Sequence, residues 1–258
     1  MAELVYRPVI GLARAVFAAQ GLRFTIEGTE NVPREGGAVM VVNHIGYLDF
    51  TYAGLAALPS GRLVRFMAKQ EVFDHRVSGP LMRGMHHIPV DREAGSTSYR
   101  LALAALKAGE IVGVFPEATI SRSFELKEFK PGALRLAAAA RVPVLPTVVW
   151  GSQRIWTKGR PKRMGRTRTP ITVRVGEPLS VAPRDDQAAV AATLRARMTE
   201  LLHAAQERYP DRPGSEADSW WQPVRLGGTA PTPEEAARLD EQDRAARVLR
   251  RAERERKR

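Results

Sequence analysis

Seven short apolar runs, LRFTIEG, AVMVV, RLVRFMA, HHIPV, IVGVF, VPVLPTVV and ITVRVG, recur between residues 22 and 176. Each is too short for a stable helix and rich in Val and Ile, so each reads as a strand. An uninterrupted run such as AVMVV reads as a strand buried on both faces. Between them, apolar residues recur at helical spacing over 50–57, 79–84, 97–108 and 131–140. Strands interleaved with helices predict an α/β domain, with a largely parallel or mixed sheet flanked by helices.

The ends of the chain read differently. Residues 3–20, ELVYRPVIGLARAVFAAQ, place Glu3, Arg7 and Arg14 on one narrow side of an otherwise apolar helix. Pro8 suits a first turn, so the helix is expected to begin near it. Such a helix either caps a core or lies in a membrane interface. A helical pattern over 185–208 closes the domain, and the chain from Tyr209 is rich in Pro and Gly. A last helix then starts from a Thr232 cap with Pro233 at its first position. Its sparse apolar surface predicts an exposed, frayed or partner-dependent element. The predicted organisation is an amphipathic helix over 1–20, a central domain over 21–208 and an extension over 209–258.

Composition narrows the chemistry. The chain contains no Cys, which excludes disulfides, cysteine nucleophiles and thiolate metal sites. No apolar stretch approaches the roughly 18 residues of a spanning helix, and the N-terminus has no signal-peptide pattern. Net charge is +12, and eleven Lys or Arg fall between Glu128 and Glu177 with no acidic residue among them. That field favours an anionic partner: nucleic acid, an acidic membrane surface or a phosphorylated small molecule. Its densest part, 152–170, has the composition of an exposed loop. Trp150 and Trp156 beside it suit either an interfacial anchor or a core position.

The run AVMVV ends in NHIGYLDF, which places His44 at a strand end and Asp49 five residues on. A carboxylate there can hold the proton of one imidazole nitrogen and leave the other as a base. The same spacing also suits two ordinary caps, one for the loop and one for the next helix. Two further strand ends carry polar groups: HHIPV leads into Asp91 and Arg92, and IVGVF into Glu117, Thr119, Ser121 and Arg122. Three such ends suggest one shared pocket. His86 and His87 invite a metal reading, but neighbours on a strand point to opposite faces and no ligand spacing such as H-E-x-x-H occurs. No metal site is expected.

Together these stretches resemble the glycerolipid acyltransferase family. NHIGYLD matches its first sequence block and HHIPVDR its second; FPEATIS is similar to the third, Phe-Pro-Glu-Gly-Thr-x-Ser, and VPVLPTVV to the fourth. MAKQEVF resembles the element before the second block. The resemblance covers roughly residues 20–180 and implies a glycerol-3-phosphate acyltransferase-like fold. It also implies acyl transfer from acyl-CoA or acyl-carrier protein, as co-substrate, to a lysophospholipid acceptor, foremost 1-acyl-glycerol-3-phosphate, with no cofactor. Glycerol-3-phosphate or another lysophospholipid or glycolipid is the alternative acceptor. By the same resemblance His44 and Asp49 are catalytic, and Arg92, Lys69, Glu117, Thr119, Ser121 and Arg122 bind substrate. A membrane-borne acceptor favours the interfacial reading of residues 1–20. It places the protein peripherally, or as a monotopic protein, on an anionic cytoplasmic membrane face and not on nucleic acid. Ala118 stands where the family usually has Gly, which puts a positive φ at that position in question. Ile120 replaces a frequent Arg and removes one candidate phosphate contact.

Overall fold

Each predicted run forms a strand in the computed structural model, which describes residues 3–91 and 95–256. The strands are β1 (Arg23–Glu27), β2 (Ala38–Val42), β3 (Val64–Lys69), β4 (Ile88–Val90), β5 (Ile111–Val114), β6 (Val144–Trp150) and β7 (Pro170–Val175). They lie in one sheet in the order β1-β7-β6-β2-β5-β3-β4. Strands β6, β2, β5, β3 and β4 are mutually parallel, while β7 runs antiparallel to β6 and carries β1 parallel to itself. The sheet is therefore mixed, and its five parallel strands deliver their C-terminal ends to one edge.

Helices α1 (Glu3–Ala19), α2 (Asp49–Leu55), α3 (Gln70–Asp74), α4 (Ser78–Gly84), α5 (Gly95–Lys107), α6 (Gly132–Ala140) and α7 (Gln187–Glu207) accompany the sheet. Side chains alternate across each strand. Met40 and Val42 of β2 join Phe17 of α1 and Tyr52 and Ala53 of α2 in one core cluster. Val39 and Val41 are equally buried and point to the other face, where α5, α6 and α7 touch one another and the sheet. Helix covers both faces, which explains why AVMVV has no polar alternation.

One expectation is corrected at the N-terminus, and one alternative is settled in the core. Pro8 lies inside α1, at its sixth position, so the helix begins earlier than the proline suggested. The missing N–H forfeits only the bond to the carbonyl of Leu4, in the exposed first turn. The helix packs on the core and still leaves an apolar outer face. Tyr6 and Phe17 are buried on its inner face, whereas Leu4, Leu12 and Val16 are 76%, 67% and 42% exposed on its outer face. Trp150 is wholly buried, so it is a core residue and not an interfacial anchor.

The chain divides into two compact units, and the division does not follow chain order. The sheet unit comprises residues up to Ile120 and Glu128–Asp211; the second unit joins Ser121–Lys127 to the chain from Arg212 onward. Within the second unit, α8 (Pro233–Arg256) starts with a reciprocal cap. The Thr232 hydroxyl accepts from the Glu235 N–H, and the Thr232 N–H donates to the Glu235 carboxylate. Asp240 and Asp243 of α8 pair with Lys127 and Arg122.

A buried imidazole holds β3 to the start of β4. His87 accepts the Phe66 N–H at 2.9 Å through Nδ1 and meets the Tyr6 ring edge-on. Burial first, and the nearby Arg65 guanidinium second, push its pKa down to about 4 from 6.5. The unfolded chain therefore binds more protons than the folded one between those values, and stability falls as pH drops from about 6.5 towards 4. The full loss is about 3 kcal/mol. Urea unfolding across this range should show that decline, and His87→Gln should flatten it.

Candidate active site

His44 leaves the end of β2 between the ends of β5 and β6, and β2 is the central strand of the seven. Asn43 makes the exit possible. Its amide donates to the Val149 carbonyl at 3.1 Å and its carbonyl accepts the Val149 N–H at 2.7 Å, replacing backbone pairing where β2 and β6 part. The chain then turns through Ile45 and Gly46 and enters α2 at Asp49.

The Asp49 carboxylate is fully buried and heavily satisfied. Its Oδ2 accepts the Ile45 and Gly46 N–H groups, each at 2.8 Å, and His44 Nδ1 at 3.0 Å. Its Oδ1 accepts the hydroxyl of Ser152, just beyond β6. An oxygen already facing two N–H donors receives, so Nδ1 is the nitrogen that donates and Nε2 is left to take a proton. The carboxylate braces the loop amides and the imidazole at once; it does not cap α2, whose N-cap position is Leu48 with no side-chain bond. Its charge also sits at the N-terminus of α2, where the helix dipole favours it.

The imidazole is fixed from other directions as well. The Phe115 ring stacks on it with centroids 4.3 Å apart. The His44 N–H donates to Glu117 Oε1 at 3.0 Å, and Glu117 is buried. With 21% of its side chain exposed, His44 is reachable, whereas its partner Asp49 is sealed. Gly46 admits no substituent, since a Cβ there would stand 2.8 Å from the Ser152 hydroxyl and 3.1 Å from its backbone. Thr157 closes the turn by donating to the Ile45 carbonyl at 2.6 Å.

The remaining predicted residues divide into several groups. Lys69 is exposed at the end of β3 and registers with Val90 of β4, beside the chain leading to Asp91. Arg92 lies outside the described residues. Thr119 is half-buried, and its hydroxyl donates to the neighbouring Ile120 carbonyl at 3.3 Å. Ser121 belongs to the second unit, where its hydroxyl donates to the Glu125 carbonyl at 2.7 Å. Arg122 belongs there too and engages Asp243 at 2.8 Å. Ile120 is buried. Ala118 keeps a left-handed backbone, φ 58°, without being glycine. His86 is exposed and His87 buried, so the pair diverges; among the described residues no three His, Asp or Glu side chains are grouped to hold a metal ion.

Sequence reasoning missed Ser152, Thr157, Phe115 and the backbone contact of Glu117. The only signal for Ser152 and Thr157 was position: GSQRIWT follows the fourth apolar block and is one more polar strand end.

Comparisons with known proteins bear on the family and the fold. A family model described as Acyltransferase matches residues 23–150. The 1-acyl-sn-glycerol-3-phosphate acyltransferase of Bacillus subtilis is 32% identical over 182 residues, which span 67% of this chain and 84% of that protein. A chloroplastic protein of the same description from Arabidopsis thaliana is 32% identical over 141 residues, covering 53% of this chain and 38% of its own length. The crystal structure of the 1-acyl-sn-glycerophosphate acyltransferase PlsC from Thermotoga maritima superposes with a TM-score of 0.66 at 21% identity. That match covers 81% of this chain and 83% of the other and shows the shared fold.

Two stability changes are expected from the site. Ser152→Ala removes a donor from a buried carboxylate and should cost about 1.5–3 kcal/mol. Ala118→Gly relieves a Cβ in the left-handed region and should add up to about 1 kcal/mol, offset in part by glycine's backbone entropy. Urea denaturation of the two variants beside the parent measures both.

Proposed function

Because the chain belongs to the glycerolipid acyltransferase family, we propose that it transfers an acyl group from a thioester donor to the free hydroxyl of 1-acyl-glycerol-3-phosphate, giving phosphatidic acid. The donor is acyl-CoA or acyl-carrier protein. The observation that carries this reading is the His44–Asp49 pair, a reachable imidazole held by a sealed carboxylate at the end of the sheet's central strand.

A neutral alcohol is a poor nucleophile. His44 Nε2 takes the hydroxyl proton as the oxygen attacks the thioester carbonyl, and Asp49 stabilises the imidazolium that forms. The tetrahedral intermediate collapses by breaking the carbon–sulfur bond, and the departing sulfur leaves as thiolate or takes the proton from His44. No acyl-enzyme is required. The stacked Phe115 and the Asp49 carboxylate keep the ring from swinging, and Glu117 fixes the backbone that carries it, so the base is oriented before substrate arrives.

The acceptor's phosphate needs cations beside this base. Lys69 at the end of β3 and Arg92 after β4 are the groups we assign to it, with Arg92 suited to a forked contact. Arg122 already faces Asp240 and Asp243 and is left out of that assignment. Glu117 and Thr119 follow β5, the strand between β2 and β3.

None of the described helices is long and apolar enough to cross a membrane. The outer face of α1, with Leu4, Leu12 and Val16 exposed and Arg7 and Arg14 along one edge, supports a peripheral or monotopic placement on the anionic cytoplasmic face.

The test is release of free thiol from acyl-CoA, or from acyl-carrier protein, in the presence of 1-acyl-glycerol-3-phosphate, glycerol-3-phosphate or another lysophospholipid. The parent protein should turn over fastest with the first acceptor, and His44→Ala should lose roughly 10²–10⁴-fold in kcat. Equal thiol release by the variant would remove His44 from the mechanism.

A further inference from the structure

The basic loop after β6 is attached at both ends to elements with separate tasks. Lys158, Arg160, Lys162, Arg163, Arg166 and Arg168 lie within it, and all but Lys158 are exposed. Met164 stands among them, 46% exposed. One set of bonds joins the loop to the end of α1: Gln20 Nε2 donates to the Met164 carbonyl at 3.0 Å, and the Arg168 N–H donates to the Gln20 carbonyl at 3.1 Å. A second set joins its base to the turn between His44 and Asp49. There the Tyr47 N–H donates to the Trp156 carbonyl at 3.0 Å, and the Thr157 hydroxyl donates to the Ile45 carbonyl. Tyr47 packs on Trp156 with centroids 4.6 Å apart, and Lys162 Nζ lies 4.0 Å over the Trp156 ring.

We propose that residues 156–168, together with the outer face of α1, form a docking surface for an anionic bilayer, and that docking is transmitted to the His44 turn through Trp156 and Thr157. The charge distribution selects this occupant. A nucleotide or free phosphate is taken into a concave pocket whose donors converge and become buried. Here the cations from 160 onward are all exposed, with an exposed Met among them and the apolar outer face of α1 joined to the same loop. Anionic headgroups meet the cations while acyl chains meet Leu4, Leu12, Val16 and Met164. The turn that carries His44 thus shares bonds with the loop that meets the headgroups, and bilayer contact would hold that loop, and through it the turn, in place. The base would be set most firmly where a lipid acceptor is present. The effect on turnover rests on the acyltransferase reading, whereas docking and its transmission do not.

The test uses the full chain with vesicles of phosphatidylcholine alone or mixed with phosphatidylglycerol. The parent should sediment with the anionic vesicles. The triple variant Lys162→Gln, Arg163→Gln, Arg166→Gln should lose about a hundredfold in partitioning at low salt. Hydrogen exchange at the Tyr47 amide should slow about tenfold when the parent binds, a readout that needs no variant and no catalysis. Thr157→Val should still sediment but lose that added protection. With a short-chain, water-soluble lysophosphatidate, anionic vesicles should raise the parent's kcat, and Thr157→Val should respond less. Unchanged Tyr47 exchange in the bound parent would overturn the transmission. Sedimentation of the triple variant equal to the parent, or tighter binding to duplex DNA than to vesicles at the same salt, would overturn the docking surface. Protection of Tyr47 with no thiol release from any acceptor would instead overturn the acyltransferase reading.

Discussion

The buried carboxylate of Asp49 is the point on which the site depends. An ionised group taken out of water costs several kcal/mol unless its lone pairs are filled. Two loop amides, an imidazole and a serine hydroxyl fill them here. The arrangement reverses the usual dependence of side chain on backbone. The loop from Asn43 to Asp49 adopts its path because the carboxylate needs those amides, and Gly46 is required because Ser152 must approach. Removing any one donor leaves the same charge buried and less satisfied, so the four contacts hold as a set.

The sheet order supplies these partners from distant parts of the chain. The path from β2 goes two positions over to β3 and β4, returns to fill the gap with β5, and then crosses β2 to place β6 on its other side. His44 consequently emerges with β5 on one side and β6 on the other. Glu117 binds its backbone from the first, and Ser152 binds its partner carboxylate from the second. Crevices at the carboxyl ends of parallel strands, where chain direction across the sheet reverses, are the usual binding places of open α/β sheets. This site follows that geometry.

What the sequence disclosed and what it withheld follow from the range of each interaction. Strands were legible because a buried parallel strand must be a continuous apolar run, and His44 with Asp49 because their contact is local. Ser152 was not legible, since its contact with Asp49 spans 103 positions and a serine after Gly151 looks like any turn serine. The contact of Glu117 uses a backbone N–H, which no residue type encodes. Pro8 misplaced the start of α1 because a proline inside a helix forfeits little where the first turn faces solvent. The partners of Arg122 were not legible either, since Asp240 and Asp243 lie on α8, more than a hundred residues away. The positive φ at position 118 persists with alanine because neighbouring bonds, such as the Ala118 N–H to the Phe115 carbonyl, fix the turn whichever residue occupies it.

The two halves of the sheet edge differ in how firmly they are built, and this bears on how acceptor choice relates to chemistry. The central half, at the ends of β6, β2 and β5, is buried and bonded from both sides, so the base has one position. The outer half rests on β3 and on β4, a three-residue edge strand followed by short connections, with Lys69 exposed at its end. Edge segments with few buried neighbours tolerate substitution and local opening better than central ones. A phosphate or glycerol site on that half can change its contacts without disturbing the imidazole. Ile120, by contrast, is buried where the third block ends. On the proposed reading, chemistry is fixed at the centre of the sheet, and the identity of the acceptor is set at its edge.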